Sequence, residues 1–98
     1  MFRHVAVFRF TPESTREQHE AVIVALRTLP SIIPELRDYR VGLDAGLVEG
    51  NFEMAVVADF DDEAGWRAYT ADAEHQRIIA ELIRPILADR SAVQHDLS

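Results

Sequence analysis

Nine residues near the start of the chain, Phe2 to Phe10, alternate strictly between two sets: Phe2, His4, Ala6, Phe8 and Phe10 in one, Arg3, Val5, Val7 and Arg9 in the other. Successive side chains of a strand point to opposite sides, so this period predicts a β-strand with two usable faces. One face is aromatic and apolar apart from a single histidine. The other sets valines between arginines. A chain that begins this way needs a packed layer on the first face, and Val5 and Val7 ask for some cover on the second as well.

The period then changes. Val22, Ile23, Leu26 and Leu29 recur at helical spacing, and Ser14 followed by Glu17 reads as a capping box, which predicts a helix from about Thr15 to Leu29. Pro30 and Pro34 bracket Ser31-Ile32-Ile33 and leave room for only a short turn, since proline lacks an amide donor and restrains the residue before it. A second strand is expected from Leu36 to about Leu43. Gly42, Gly46, Gly50 and Asn51 mark an irregular connection, and Phe52 to Phe60 reads as a central strand. Asp61 and Asp62 can cap a short helix from Glu63 to Thr70. Asp72 can cap a second, whose apolar stripe is His75, Ile78, Ile79, Leu82, Ile83 and Ile86, with Pro85 bending or ending it. Ala88 to Leu97 forms the last strand.

Strand, helix, strand, strand, paired helices, strand is the split β-α-β order of a ferredoxin-like α+β fold, a four-stranded antiparallel sheet with its helices on one face. Val5, Val7, Ala55 and Val57 leave the other face apolar. Two sheets stacked about a twofold axis would bury it, which predicts a homodimer through that exposed face and a dimeric α/β barrel.

Composition narrows the function. Residues 1–98 leave room for one domain. The formal charge is −7 and all ten basic residues are arginines spread along the chain, so no basic face exists to neutralise phosphates and nucleic-acid binding is not expected. The lack of cysteine removes disulfides, thiol catalysis and thiolate metal sites. The opening residues alternate where a signal peptide needs an unbroken apolar run, and no stretch approaches a membrane span, so a cytoplasmic protein is expected.

Three side chains could carry chemistry. His4 lies within an apolar series on the face assigned to the helices, where it is either a hydrogen-bonded core histidine or a positioned polar group. His75 falls at the third position of a helix capped by Asp72, a place that favours the neutral imidazole able to act as a base near pH 7. Tyr69 lies six residues earlier, across the break between the two short helices, and either packs its ring or donates to a substrate oxygen. Trp66 is read as helix-to-sheet packing, and His19 and His95 as without function. No helix carries a His-x-x-x-His or His-Glu-x-x-His pair, and no glycine-rich phosphate loop or Gly-x-Ser-x-Gly elbow occurs, so neither metal nor cofactor is expected.

Arg3-His4-Val5-Ala6-Val7-Phe8-Arg9-Phe10, Ile33-Pro34-Glu35-Leu36 and Tyr69-Thr70-Ala71-Asp72-Ala73-Glu74-His75-Gln76 together resemble the stress-responsive α/β-barrel (Dabb) family over nearly the whole chain. The resemblance implies a dimeric ferredoxin-like barrel, in some members stress-associated. Its polyketide-cyclase members, of the olivetolic acid cyclase type, surround their substrate with a strand-one His, a Tyr and a helix His, positions matched by His4, Tyr69 and His75. Two departures stand out: Met54 occupies the place of a further histidine, and Asp72-Ala73 replaces a His-Pro pair.

The resemblance implies that His75 removes an acidic proton next to a carbonyl while Tyr69 bonds the developing oxyanion and His4 assists positioning. Three functions remain open: a dimer binding a small, largely apolar carbonyl or aromatic ligand, a cofactor-free cyclase, isomerase or lyase, and a structural dimer with a closed core. The first two require an open cavity bounded by Phe8, Val22, Ile23, Leu26, Trp66 and Ile79, with Met54 near it.

Overall fold

A computed structural model describes residues 1–98. Strand β1 spans Phe2–Phe10, helix α1 Arg16–Leu26, β2 Asp38–Leu43, β3 Met54–Phe60, helix α2 Glu63–Ala71, helix α3 Ala73–Ile78 and β4 Leu87–Asp96. The four strands form one sheet in the order β2-β3-β1-β4, with every neighbouring pair antiparallel. Each helical segment therefore connects two strands that are separated by a third, which is the ferredoxin-like arrangement.

The alternation in β1 separates the two faces as its period predicts. His4, Ala6, Phe8 and Phe10 are buried under the helices, as are Met54, Val56, Ala58 and Phe60 of β3. On the opposite face Val5 stands across from Val57 and Val93, and Val7 from Ala55. This open face also holds a fork-to-carboxylate pair, Arg3 to Asp59, at 2.8 and 2.9 Å. The pair draws the buried Asp59 carboxyl below its usual range.

The helices lie over the first face. Val22, Ile23 and Leu26 bring α1 into the core. A Cβ at Gly65 would stand 3.1 Å from the Cβ of Phe60, so α2 lies close against β3 and a larger residue there would require Phe60 to give by a few tenths of an ångström. That approach sets the height of Trp66 and Tyr69 above the sheet.

Several boundaries depart from the sequence reading. Helix α1 begins one residue later than a Ser14 cap implies: Thr15 caps it, with Gln18 completing the capping box. The Ser14 hydroxyl is already committed to the Thr11 carbonyl at 2.6 Å and to His19 Nε2 at 2.7 Å, while the His19 ring stacks on Phe10. The same helix stops at Leu26, short of Leu29, which begins a 3-10 turn through Pro30 to Ser31. Gly42 lies within β2, opposite Ala55, and only Gly46 and Gly50 take the left-handed backbone of the loop.

The last helix also differs. It is regular only to Ile78, then widens into a π turn over Ile79–Ile83 and tightens into a 3-10 turn over Arg84–Ile86. Pro85 has no N–H, and in a regular helix its ring would strike the carbonyl four residues earlier. The Arg84 amide donates instead to the Ile79 carbonyl five residues back. Such wide turns often mark functional walls.

Candidate functional site

A cavity of about 330 Å³ opens between the helix-covered face of β1 and β4 and the α2-to-β4 segment. The sheet contributes His4, Phe8, Val56, Leu87 and Arg90, and the end of α1 contributes Leu26. Trp66, Tyr69, Thr70 and His75 come from α2 and α3, and Ile79, Ile83 and Arg84 from the two irregular turns. Its size is at the low end of small-molecule sites, and its walls are mainly apolar.

His75 is fixed from two sides. Asp72 ends α2 and caps α3, its carboxylate accepting from the His75 amide at 2.9 Å. The imidazole Nδ1 lies 2.9 Å from the backbone carbonyl of Tyr69. A carbonyl only accepts, so Nδ1 carries the proton and the neutral ring keeps its lone pair on Nε2. Burial lowers the His75 pKa, against the opposing pull of the Tyr69 carbonyl and Asp72. Its ring stacks on that of Tyr69 with centroids 4.0 Å apart.

His4 has the complementary tautomer. The side-chain amide of Gln94 donates to its Nδ1 at 2.8 Å, which leaves Nε2–H as a donor. Burial, with Arg90 and His75 adding to it, lowers its pKa to about 4, so the ring is neutral at pH 7. The Tyr69 hydroxyl is 2.9 Å from that of Tyr39, and burial pushes its pKa up to about 12. Both phenols stay protonated near neutrality. The Trp66 Nε1–H is buried and has no acceptor.

His4, Tyr69 and His75 thus line one cavity, together with Phe8, Leu26, Trp66 and Ile79. The other expected lining residues do not reach it. Val22 and Ile23 are buried in the core one turn earlier on α1 than Leu26, because the cavity touches only the last turn of that helix. Met54 is also core, paired across the sheet with Phe8 and Leu43. Sequence reasoning missed Val56, Thr70, Ile83, Leu87 and both arginines of the wall, Arg84 and Arg90, and also Tyr39, the partner of Tyr69 behind it. Arg90 could have been found from the even-numbered alternation it shares with Ala92 and Gln94. No three His, Asp or Glu side chains gather at one point in the fold.

Strand order, split crossovers and helices on one face define a ferredoxin-like α+β protein. Within that class the chain belongs to the stress responsive A/B barrel domain (Dabb) family, whose model matches residues 2–96. It is similar to a dimeric ferredoxin-like protein of unknown function from Thermobifida fusca, at 50% identity over 98% of this chain and 90% of that one, with a TM-score of 0.90. A hydroxynitrile lyase from Passiflora edulis shares the fold at 18% identity, covering 99% and 93% of the two chains with a TM-score of 0.85. A Dabb family protein from Mesorhizobium loti does so at 14% identity, covering 99% and 96% with a TM-score of 0.80. No curated protein matches this sequence. No helix is long and apolar enough to cross a membrane.

Proposed function

We propose that the cavity binds one small, largely apolar carbonyl or aromatic molecule, and that the chain works as a homodimer closed through the open sheet face. The observation that carries the ligand reading is a mainly apolar cavity whose wall holds polar groups without a partner, the Nε2 of His75 and the Nε2–H of His4. Buried polar groups are normally satisfied, so a site that leaves donors and acceptors free suits a partner that completes them. The dimer reading rests on Val5, Val7, Ala55 and Val57 on one uncovered face, and on the dimeric description of the Thermobifida fusca relative.

A second reading, cofactor-independent cyclase, isomerase or lyase chemistry, is favoured by the hydrogen bond that fixes the His75 tautomer. With Nδ1–H held by the Tyr69 carbonyl, Nε2 can take a proton from the carbon next to a bound carbonyl. The electron pair left behind moves onto the carbonyl oxygen, where the Tyr69 hydroxyl or the His4 Nε2–H can bond it.

Trp66 is the one tryptophan of the chain and lies in the cavity wall, so its fluorescence reports occupancy directly. A panel of apolar aldehydes, ketones and aromatic compounds is expected to change that fluorescence and raise the melting temperature. Binding that survives His75→Ala supports the first reading. Deuterium exchange at the α-carbon of a bound ketone, present in the wild type and lost in His75→Ala, supports the second. A panel that moves neither signal sinks the ligand site.

A further inference from the structure

The arginines of this chain are almost fully committed. Arg3, Arg16, Arg37, Arg40, Arg67 and Arg77 each hold a carboxylate. Arg9 and Arg27 donate to the backbone carbonyls of Gly50 and Val41. Arg84 and Arg90 are the two whose guanidinium groups meet no hydrogen-bond acceptor, and both line the same cavity. They arrive from different elements, Arg84 from the 3-10 turn before β4 and Arg90 from β4 itself.

No acid offsets them. The chain has 17 Asp and Glu residues, yet none lines the cavity. Asp89, next to Arg90, directs its carboxylate to the Arg90 backbone amide at 2.8 Å. The Arg90 guanidinium lies 5.8 Å from the centre of the Phe8 ring on the cavity wall. Its charge is felt inward: beside the larger effect of burial, it adds to the lowering of the His4 and His75 pKa values and opposes the rise at Tyr69. The remaining free donor on the wall, His4 Nε2–H, likewise asks for an acceptor. A protein of net charge −7 therefore keeps one small apolar chamber with two unmatched cations at its wall.

We propose that the occupant of this cavity is an apolar or aryl carboxylic acid, its body against Phe8, Leu26 and Ile79 and its carboxylate held by Arg90 and Arg84. This rests on the reading of the cavity as a ligand site and adds the charge and headgroup of the ligand. A carboxylate offers two coplanar oxygens that match the guanidinium fork, and one such group takes little of a cavity this small.

The test compares matched acids and amides by Trp66 fluorescence: 3-phenylpropionate and octanoate against 3-phenylpropanamide and octanamide. The acids are expected to bind about tenfold more tightly. That preference should collapse in Arg90→Gln and Arg84→Gln and return in part in Arg90→Lys, which keeps the charge without the fork. Both side chains are exposed and make no hydrogen bond within the fold, so melting temperatures should be unchanged. In the wild type, added salt should weaken the acids and leave the amides unaffected, a readout that needs no variant. Equal affinity for acid and amide overturns the carboxylate assignment and leaves the ligand site standing. Tighter binding of octyl phosphate than of octanoate overturns it in favour of a phosphate headgroup. Failure of acids, amides and the neutral carbonyl panel alike removes the ligand site, and the carboxylate with it.

Discussion

The Nδ1 of His75 lies 2.9 Å from the backbone carbonyl oxygen of Tyr69, across the helix break at Asp72, and this bond fixes which nitrogen of the ring is free. Asparagine places an N–H near the position of Nδ1, whereas alanine places nothing there. His75→Ala is expected to lose about 1–3 kcal/mol of stability, with His75→Asn falling between it and the wild type. Urea denaturation of the three proteins checks the order. Equal losses in the two variants would mean that the Tyr69 carbonyl does not hold the ring.

Tyr39 and Tyr69 share a hydroxyl-to-hydroxyl bond at 2.9 Å, from β2 to α2. Each phenol is the other's partner in a largely apolar setting, so removing either strands the second. Tyr39→Phe and Tyr69→Phe should each cost about 1 kcal/mol, and the double variant less than the sum. Additive losses in a double-mutant cycle would argue against the bond.

Protonation of His4 is resisted by the fold, because burial holds its pKa at about 4. The unfolded chain takes up the proton first, near pH 6.5, so the native state loses stability as pH falls from there towards 4. The His4 contribution between pH 7 and pH 5 is about 2 kcal/mol, and the lowered pKa of His75 acts in the same direction. His4→Gln should flatten this part of the stability curve. An unchanged slope in that variant would rule out His4 as its source.

Val57 sits at the centre of the open sheet face, opposite Val5 and Arg40. If the chain pairs through this face as proposed, Val57→Glu should sediment as a monomer with its helix-side core intact by far-ultraviolet circular dichroism. A wild-type chain that sediments as a monomer at micromolar concentration would refute the dimer.

Local patterns were readable where one residue answers to its own neighbours. Alternation through Phe2–Phe10 sorted the faces of β1, and Asp72 marked the start of the helix that carries His75. The α1 cap was misplaced because Ser14 and Thr15 are both competent caps. The choice between them depends on a turn that brings the Thr11 carbonyl and His19 to Ser14. Val22, Ile23 and Leu26 belong to one apolar stripe, and a stripe does not record where the layer beneath it opens.

The sequence alone thus determined the order of elements and the two sides of the central strand, because side-chain period is a property of the local backbone. Only the tertiary structure decided which groups meet at the cavity. Tyr39 reaches Tyr69 from a strand thirty residues away. A register shift opposite Arg9 and Phe10 lets β4 present both Leu87 and Arg90 to the cavity. The π turn before Pro85 brings Ile79, Ile83 and Arg84 to one wall. Each of these follows from how distant segments pack, and the spacing of residues along the chain carries no measure of that distance.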